Sequence, residues 1–79
     1  MTEKMVLVLH TTHQTMNVEK ILKKNKIKHN IVSKPVKISK GCGIAISFYP
    51  EDREDIKILC KADGMEYEGI FSEEGDKLE

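Results

Sequence analysis

The sequence predicts an α+β fold, a two-layer sandwich with the element order β-α-β-β-α-β. The chain has 79 residues, a length that supports one hydrophobic core and no second domain. Its apolar residues alternate between strand-like and helix-like spacing along the chain. Apolar residues make up 39% of the chain and charged residues 33%, and there is no Trp, so we expect a modest core under a well-solvated surface.

The first strand and the first helix follow from an apolar run and a capping motif. The uninterrupted apolar residues between Lys4 and His10 are typical of a strand that is covered on at least one face. Thr11 and Gln14 then have the spacing of a capping box, with Thr11 as N-cap. This motif predicts a helix over Thr12 to Lys24.

The second and third strands are indicated by alternation of apolar and polar residues. Asn25 is the expected left-handed end of the first helix. Beyond it, residues 27–31 alternate as in a half-buried strand, and so do residues 44–48. A polar connection over residues 34–43 separates the two.

The second helix and the last strand complete the domain. Pro50 suits a first helical position, and an acidic first turn with an apolar stripe predicts a helix over Glu51 to Ala62. Met65, Tyr67 and Phe71 alternate with acidic residues, which predicts a strand with one face on the core. We expect residues 1–71 to form one domain and the acidic tail 72–79 to be frayed.

Two right-handed crossovers in one sheet favour a ferredoxin-like arrangement, with antiparallel strands in the order 4-1-3-2 and both helices on one face. Strand 1 is apolar on both faces, so a patch from Met5, Leu7 and Leu9 is expected to be covered by a second chain in a homodimer. This topology also gathers several chemically suggestive residues at one edge of the sheet. They are His10, Thr11, Thr12, His13, Cys42 and Cys60.

Cys42 is the most suggestive of these residues because it lies between Gly41 and Gly43 in a connection. A helix N-terminus or a neighbouring imidazolium lowers a thiol pKa, and the thiolate is the nucleophile. Flanking glycines let backbone N–H groups turn toward a sulfur anion and leave room for a second thiol. The alternative is a tight turn that merely contains a small residue.

Cys60 falls on the apolar stripe of the second helix, where cysteine commonly acts as a small buried hydrophobe. The sharper alternative is a resolving thiol for Cys42, which requires α-carbons within about 7 Å of each other. We expect no disulfide between the two, since one lies in a turn and the other on a buried stripe.

The three histidines leave a weak case for metal. His10, His13 and Cys42 could supply three ligands to a metal such as zinc or copper. A structural tetrahedral site needs four. We therefore expect no bound metal, and expect His10 to tune the thiol or to pack beside it. His29 is interpreted as a half-buried strand residue.

Charge and composition exclude several classes of function. Thirteen basic residues balance thirteen acidic ones, so no global field attracts a polyanion. On the face of the third strand that points away from Phe48 lie Ala45 and Ser47. This face lacks the outward aromatic side chains on which RNA bases stack. The apolar run Met5 to Leu9 is too short for a signal or a membrane span. We expect a cytoplasmic protein that binds neither nucleic acid nor membrane.

Three segments also carry a resemblance to a known family. They are Val6-Leu-Val-Leu-His-Thr-Thr12, Ser39-Lys-Gly-Cys-Gly-Ile-Ala45 and Gly64-Met-Glu-Tyr-Glu-Gly-Ile70. Through them the chain, nearly up to its tail, resembles the selenium/sulfur carrier protein-like domain family. That family typically has a small or polar residue where Gly41 stands.

The resemblance implies a carrier of sulfane sulfur or selenium in anaerobic bacterial metabolism, with Cys42 as the acceptor. Donor and acceptor proteins would be its partners, and persulfide chemistry on one thiol requires no cofactor. Such a protein is a stoichiometric carrier more than a catalyst. The alternative is a small non-enzymatic module of the same fold that serves binding, regulation or metal binding.

Overall fold

The computed structural model describes residues 3–79, and they form four strands and two helices in the predicted order. The strands are β1 (Met5–Leu9), β2 (His29–Ser33), β3 (Ile44–Phe48) and β4 (Tyr67–Ser72). The helices are α1 (Thr12–Lys24) and α2 (Arg53–Ala62), and a short 3-10 turn (Pro50–Asp52) precedes α2.

All neighbouring strands are antiparallel, and their order across the sheet is β2-β3-β1-β4. Read from the β4 edge, this order is 4-1-3-2. Both helices pack on one face, because their buried side chains share a single cluster with those of β1, β3 and β4. The cluster contains Leu7, Leu9, Val18, Leu22, Ile46, Phe48, Ile56, Cys60 and Ile70.

The ends of α1 are set by local contacts. Thr11 is the N-cap, and its hydroxyl accepts a hydrogen bond from the Gln14 N–H at 3.1 Å. The reciprocal half of the predicted capping box is not formed, since Gln14 Oε1 is buried without a partner among the described residues. At the other end the prediction for Asn25 is wrong. Lys26 takes the left-handed conformation (φ 58°), while Asn25 donates its side-chain amide to the Ile21 carbonyl.

The second helix begins later than its acidic first turn predicts. Residues 50–52 form a 3-10 turn, in which the Asp52 N–H bonds the Tyr49 carbonyl at 2.9 Å. The α-helix itself begins at Arg53, two residues after the predicted start at Glu51. It ends at Ala62, and this end agrees with the prediction. Short 3-10 turns are frequent at the start of α-helices, and Pro50 is compatible with this one because its missing N–H would have no partner there.

A β-bulge in β4 corrects the predicted alternation of that strand. Val8 pairs with Gly69 but Leu9 pairs with Tyr67, so Glu68 is an extra residue. As a result Tyr67 packs against the helix-side core, while Phe71 packs on the opposite face of the sheet. The pattern of the sequence had placed Tyr67 and Phe71 on the same face.

The face of the sheet opposite the helices is covered by the chain itself. Leu7 and Leu9 face the helices, so the patch that was expected to be covered by a second chain is covered by the helices of the same chain. Val6 and Val8, on the other face, are 3% and 0% exposed because Ile38 from the connection between β2 and β3 packs on them. The reason for expecting a homodimer through this face therefore no longer holds.

The C-terminal tail, for which fraying is expected, turns back along β4 in the structure. A turn at Gly75 (φ 101°) reverses the chain, Lys77 forms a β-bridge with Phe71, and the Leu78 N–H bonds the Ile70 carbonyl at 2.8 Å. Within residues 3–79, neither helix is long and apolar enough to cross a membrane.

Candidate functional site

Cys42 lies in the connection between β2 and β3, where its backbone is fixed to the end of β1. Its N–H donates to the Leu9 carbonyl at 3.2 Å. The residue is partly buried and its thiol is free. The carboxyl end of β1 thus determines where the sulfur sits.

Gly41 is required by the backbone. Its φ is +86°, and a Cβ at this position would lie 2.6 Å from Val8 Cγ1 and 2.7 Å from the Leu9 carbonyl oxygen. Both the left-handed conformation and the close approach exclude other residues. Gly41 lets the connection press against β1, so that the Cys42 N–H reaches Leu9.

Gly43 differs from Gly41 in that no contact requires it. A Cβ there would have no neighbour within 4 Å, and its φ is not in the left-handed range. Glycine at this position instead leaves the space that a side chain of residue 43 would occupy unfilled. A group approaching the sulfur from that side meets no side chain from residue 43.

The sulfur contacts one hydroxyl and one carbonyl. Cys42 Sγ lies 3.2 Å from Thr15 Oγ1 and donates to the Ile44 carbonyl, also at 3.2 Å. Thr15 is fully buried in the second turn of α1. The thiol is therefore held between the first turns of a helix and the start of β3.

The net effect of these surroundings is to lower the pKa of the Cys42 thiol. Partial burial acts in the opposite direction and raises it, because an anion loses hydration. Hydrogen bonds from the Thr15 hydroxyl, from backbone groups of Ile44 and Cys42, and from the Thr12 hydroxyl together outweigh burial. A backbone group that lowers a thiol pKa must be an N–H, since only a donor stabilises the thiolate. The Ile44 carbonyl, by contrast, favours the protonated thiol.

The predicted surroundings of the thiol are brought together only in part. Thr12 supplies one of the hydroxyls that lower the Cys42 pKa, and Thr11 forms the N-cap of the same helix. His10 instead pairs with Glu68, its Nδ1 against a carboxylate oxygen. His13 is exposed, and in residues 3–79 neither histidine is hydrogen-bonded to Cys42.

Thr15 is the site residue that the sequence interpretation missed. A signal for it was present, because Thr15 precedes Val18 and Leu22 on the buried stripe of α1. A hydroxyl at a core position must find a hydrogen-bond partner, and such a residue is a candidate for a specific role.

Cys60 packs in the core, as predicted. It is 1% exposed, and burial, followed by the nearby charge of Asp63, raises the pKa of its thiol to about 11. Both cysteines are free in the structure. Nothing in the surroundings of Cys60 favours a resolving thiol.

The histidines do not form a metal centre within the described part of the chain. No group of three or more His, Cys, Asp or Glu side chains with the spacing of metal ligands occurs among residues 3–79. His29 is a mostly buried strand residue, as predicted. Its ring nitrogens lie 2.8 Å from the Ile27 carbonyl and 3.0 Å from Glu19.

A wide surface groove lies apart from the thiol. It has a volume of about 540 Å³ and lies between α2 and the start of β4, with Ile58, Met65 and Tyr67 among its lining residues and His10 at its wall. Cys42 is not part of the lining. The partly buried sulfur therefore lies apart from this groove.

Comparison with known proteins gives the family of the chain. The model of the family described as Putative Se/S carrier protein-like matches residues 4–72. The chain belongs to this family. The match runs from the start of β1 to the end of β4 and includes the whole Gly41-Cys42-Gly43 connection. No curated protein and no solved structure gives a significant match.

Proposed function

We propose that the protein is a carrier that accepts sulfane sulfur or selenium on Cys42 and passes it to an acceptor protein. The observation that carries this proposal is the environment of the Cys42 thiol. Neutral hydrogen-bond donors lower its pKa, and the neighbouring Gly43 adds no side chain to the connection. Membership of the family supports the same function.

The loading step is an exchange at sulfur. The Cys42 thiolate attacks the terminal sulfur of a donor persulfide, R–S–SH, so that a new Sγ–S bond forms as the donor's S–S bond breaks. The products are the Cys42 persulfide and the donor thiolate. No net oxidation occurs, because the sulfane sulfur only changes its thiol partner.

The unloading step uses the same atoms in reverse. An acceptor thiolate attacks the terminal sulfur of the Cys42 persulfide, the Sγ–S bond breaks, and Cys42 leaves as a thiolate. A thiol with a lowered pKa is a better leaving group, so the environment of Cys42 favours release as well as capture. A selenium atom in the terminal position would follow the same sequence of bonds.

The position of the sulfur favours a carrier over a catalyst. Both donor and acceptor are proteins in this proposal. Cys42 does not line the groove between α2 and β4, and the neighbouring Gly43 adds no side chain to the connection. An enzyme acting on a small molecule usually encloses its reacting atom in a pocket. We infer that Thr12 stabilises the thiolate and that Thr11 fixes the helix end on which Thr12 stands. His10 and His13 would contribute only as part of the protein surface that the donor and acceptor proteins contact.

Intact mass spectrometry tests the proposed function. The protein is incubated with a cysteine desulfurase and cysteine, and the expected product has the mass of one added sulfur atom. Cys42→Ser should gain none, whereas the matched Cys60→Ala variant should gain as much as the wild type. Equal gain by Cys42→Ser would overturn the assignment, and so would no gain by the wild type with any donor that carries a sulfane sulfur (R–S–SH) or the corresponding selenium atom (R–S–SeH).

A further inference from the structure

Thr15 has a single hydroxyl proton and two neighbouring atoms that can accept it. Its Oγ1 donates to the Thr11 carbonyl at 2.9 Å and also lies 3.2 Å from Cys42 Sγ. The residue is 0% exposed, so water does not supply an alternative partner. A hydroxyl carries one donor and two acceptor positions, and it can serve these two atoms as donor only one at a time.

We infer that Thr15 is a two-position switch for Cys42. The Thr15 hydroxyl donates to the Thr11 carbonyl when Cys42 is a thiol, and it donates to Sγ when Cys42 is a thiolate. This inference deepens the proposed function, on which it rests, by naming the group that stabilises the sulfur anion at loading and at release. The inference rests on the distances from the Thr15 hydroxyl to the Thr11 carbonyl and to Cys42 Sγ.

In the thiol state the two protons serve the two carbonyls, and the contact between Thr15 Oγ1 and Sγ carries no proton. The S–H donates to the Ile44 carbonyl, and the Thr15 hydroxyl donates to the Thr11 carbonyl. When the thiol loses its proton to water or to an external base, Sγ can only accept. Rotation of the Thr15 hydroxyl about its C–O bond then supplies the donor, and no electron and no heavy atom has to move.

The switch costs little because the Thr11 carbonyl has a second donor. The Thr15 N–H bonds the same carbonyl at 3.1 Å, as part of the first turn of α1. When the hydroxyl turns to the sulfur, the Thr11 carbonyl keeps this backbone hydrogen bond and is not left unpaired. The Ile44 carbonyl loses the S–H donor on ionisation whether or not the Thr15 hydroxyl turns. The hydrogen bond gained goes to a charged atom, and such bonds are the stronger ones.

No charged group competes for this role among the described residues. The titratable and charged side chains on the elements around Cys42 include five near the ends of these elements, which are His10, His13, Lys34, Lys40 and Glu68. Of the others, Lys37 pairs with Asp76 and Glu19 pairs with His29, and no hydrogen bond joins Sγ to Lys20, Lys23 or Lys24 within residues 3–79. His10 and Glu68 pair with each other, and Lys34 donates to the Lys40 carbonyl at 3.0 Å. None of the five is hydrogen-bonded to Sγ in residues 3–79.

The switch acts on the same atom at both steps of transfer. Sγ is an anion when it attacks the donor and again when it leaves the persulfide. In the loaded state the charge lies on the terminal sulfur, and the Thr15 proton returns to the Thr11 carbonyl. Thr15 therefore favours the empty thiolate over the persulfide, and we expect its loss to slow both steps.

Two substitutions separate the hydroxyl from the packing. Thr15→Val keeps the branched shape and removes the proton, whereas Thr15→Ser keeps the proton and removes a buried methyl group. The readout is the rate of iodoacetamide alkylation of Cys42 against pH, followed by peptide mass spectrometry. For Thr15→Val we expect the profile to move to higher pH and the rate at neutral pH to fall about tenfold. For Thr15→Ser we expect a profile within about twofold of the wild type, because its hydroxyl is kept.

An unchanged profile in Thr15→Val would overturn the switch, and so would equal shifts in both variants. If Thr15→Val does not fold, Thr15→Ala makes the same comparison with Thr15→Ser. Because alkylation needs no sulfur donor, this test is independent of the proposed function. A wild type that takes up no sulfur would refute the carrier and leave the alkylation result standing.

Discussion

The two cysteines of this chain have the same side chain and opposite environments. Cys42 lies in a connection where side-chain and backbone hydrogen bonds, that of the Thr15 hydroxyl foremost, lower the pKa of its thiol despite partial burial. Cys60 lies among the apolar side chains of the helix-side core, and burial raises its pKa to about 11. The surroundings thus favour the thiolate at Cys42 and the protonated thiol at Cys60.

The difference shows that the chemistry of a thiol in this fold depends on which groups replace water. Burial alone disfavours the anion at both positions. At Cys42 the lost water is replaced by donors from the start of α1, and at Cys60 it is replaced by carbon atoms. A search by exposure alone would find Cys42 but would not explain why the pKa of its thiol is lowered.

The largest expected effect is the division of reactivity between the two thiols. With a pKa of about 11, Cys60 is a thiolate at pH 8 in about one molecule in a thousand. We expect Cys42 to be alkylated by iodoacetamide at least about a hundredfold faster in the folded protein. Peptide mass spectrometry at several times resolves the two rates. In urea the rates should converge, and a division that persists after unfolding would contradict the account.

The next largest effect concerns the glycines on either side of Cys42. Gly41→Ala forces a side chain into the left-handed region and against Val8 and Leu9. We expect it to lower the free energy of unfolding by about 2 kcal/mol or more. Urea unfolding followed by circular dichroism measures this loss.

Gly43→Ala is the matched control for Gly41→Ala. No atom lies near its added methyl group, so we expect stability to change by less than about 0.5 kcal/mol. A larger residue in the same place, Gly43→Leu, should keep the stability and slow the uptake of sulfur from a protein donor. Equal losses of stability at both glycines would show that the connection is packed differently.

A smaller effect is expected from removing the buried thiol. Cys60→Ala leaves a small cavity in the core and should cost about 1 kcal/mol of unfolding free energy at neutral pH. Its alkylation and sulfur uptake at Cys42 should be unchanged. A variant that loses sulfur uptake while it remains folded would give Cys60 a role in transfer.

The pH dependence of that cost has a definite sign. Above the ordinary thiol pKa of 9.0, the unfolded chain releases the Cys60 proton, while the folded chain keeps it until about pH 11. The folded state then binds more protons, so the stability contributed by Cys60 is lost as pH rises through this window. The deficit of Cys60→Ala relative to the wild type should therefore narrow between pH 9 and 11. If the difference in unfolding free energy between Cys60→Ala and the wild type stays constant over this range, burial does not raise the pKa of the Cys60 thiol.

Local signals predicted most of the fold. The bounds of α1 are those predicted, because the Thr11 N-cap and the stripe of buried residues are both local. The bulge at Glu68 was not predictable in the same way, since it depends on how β4 pairs with β1. The cover over Val6 and Val8 was missed because Ile38 lies in an irregular connection without a periodic pattern.

The candidate site was predicted less completely than the fold. Cys42 and its two glycines stand out by type and spacing, but their separate roles depend on backbone angles that the sequence does not display. Thr15 is 27 positions from Cys42 in the chain, and only the packing of α1 against the connection brings them together. His10 was expected beside the thiol, yet its partner is Glu68 across the bulge.

Peptide mapping of the persulfide in the wild-type protein tests the central claim most directly. The protein is loaded by a cysteine desulfurase with cysteine, trapped under non-reducing conditions with an alkylating agent and digested. The account predicts that the added sulfur is found on the peptide that contains Cys42 and is absent from the peptide that contains Cys60. Sulfur on Cys60, or on both cysteines to the same extent, would contradict it.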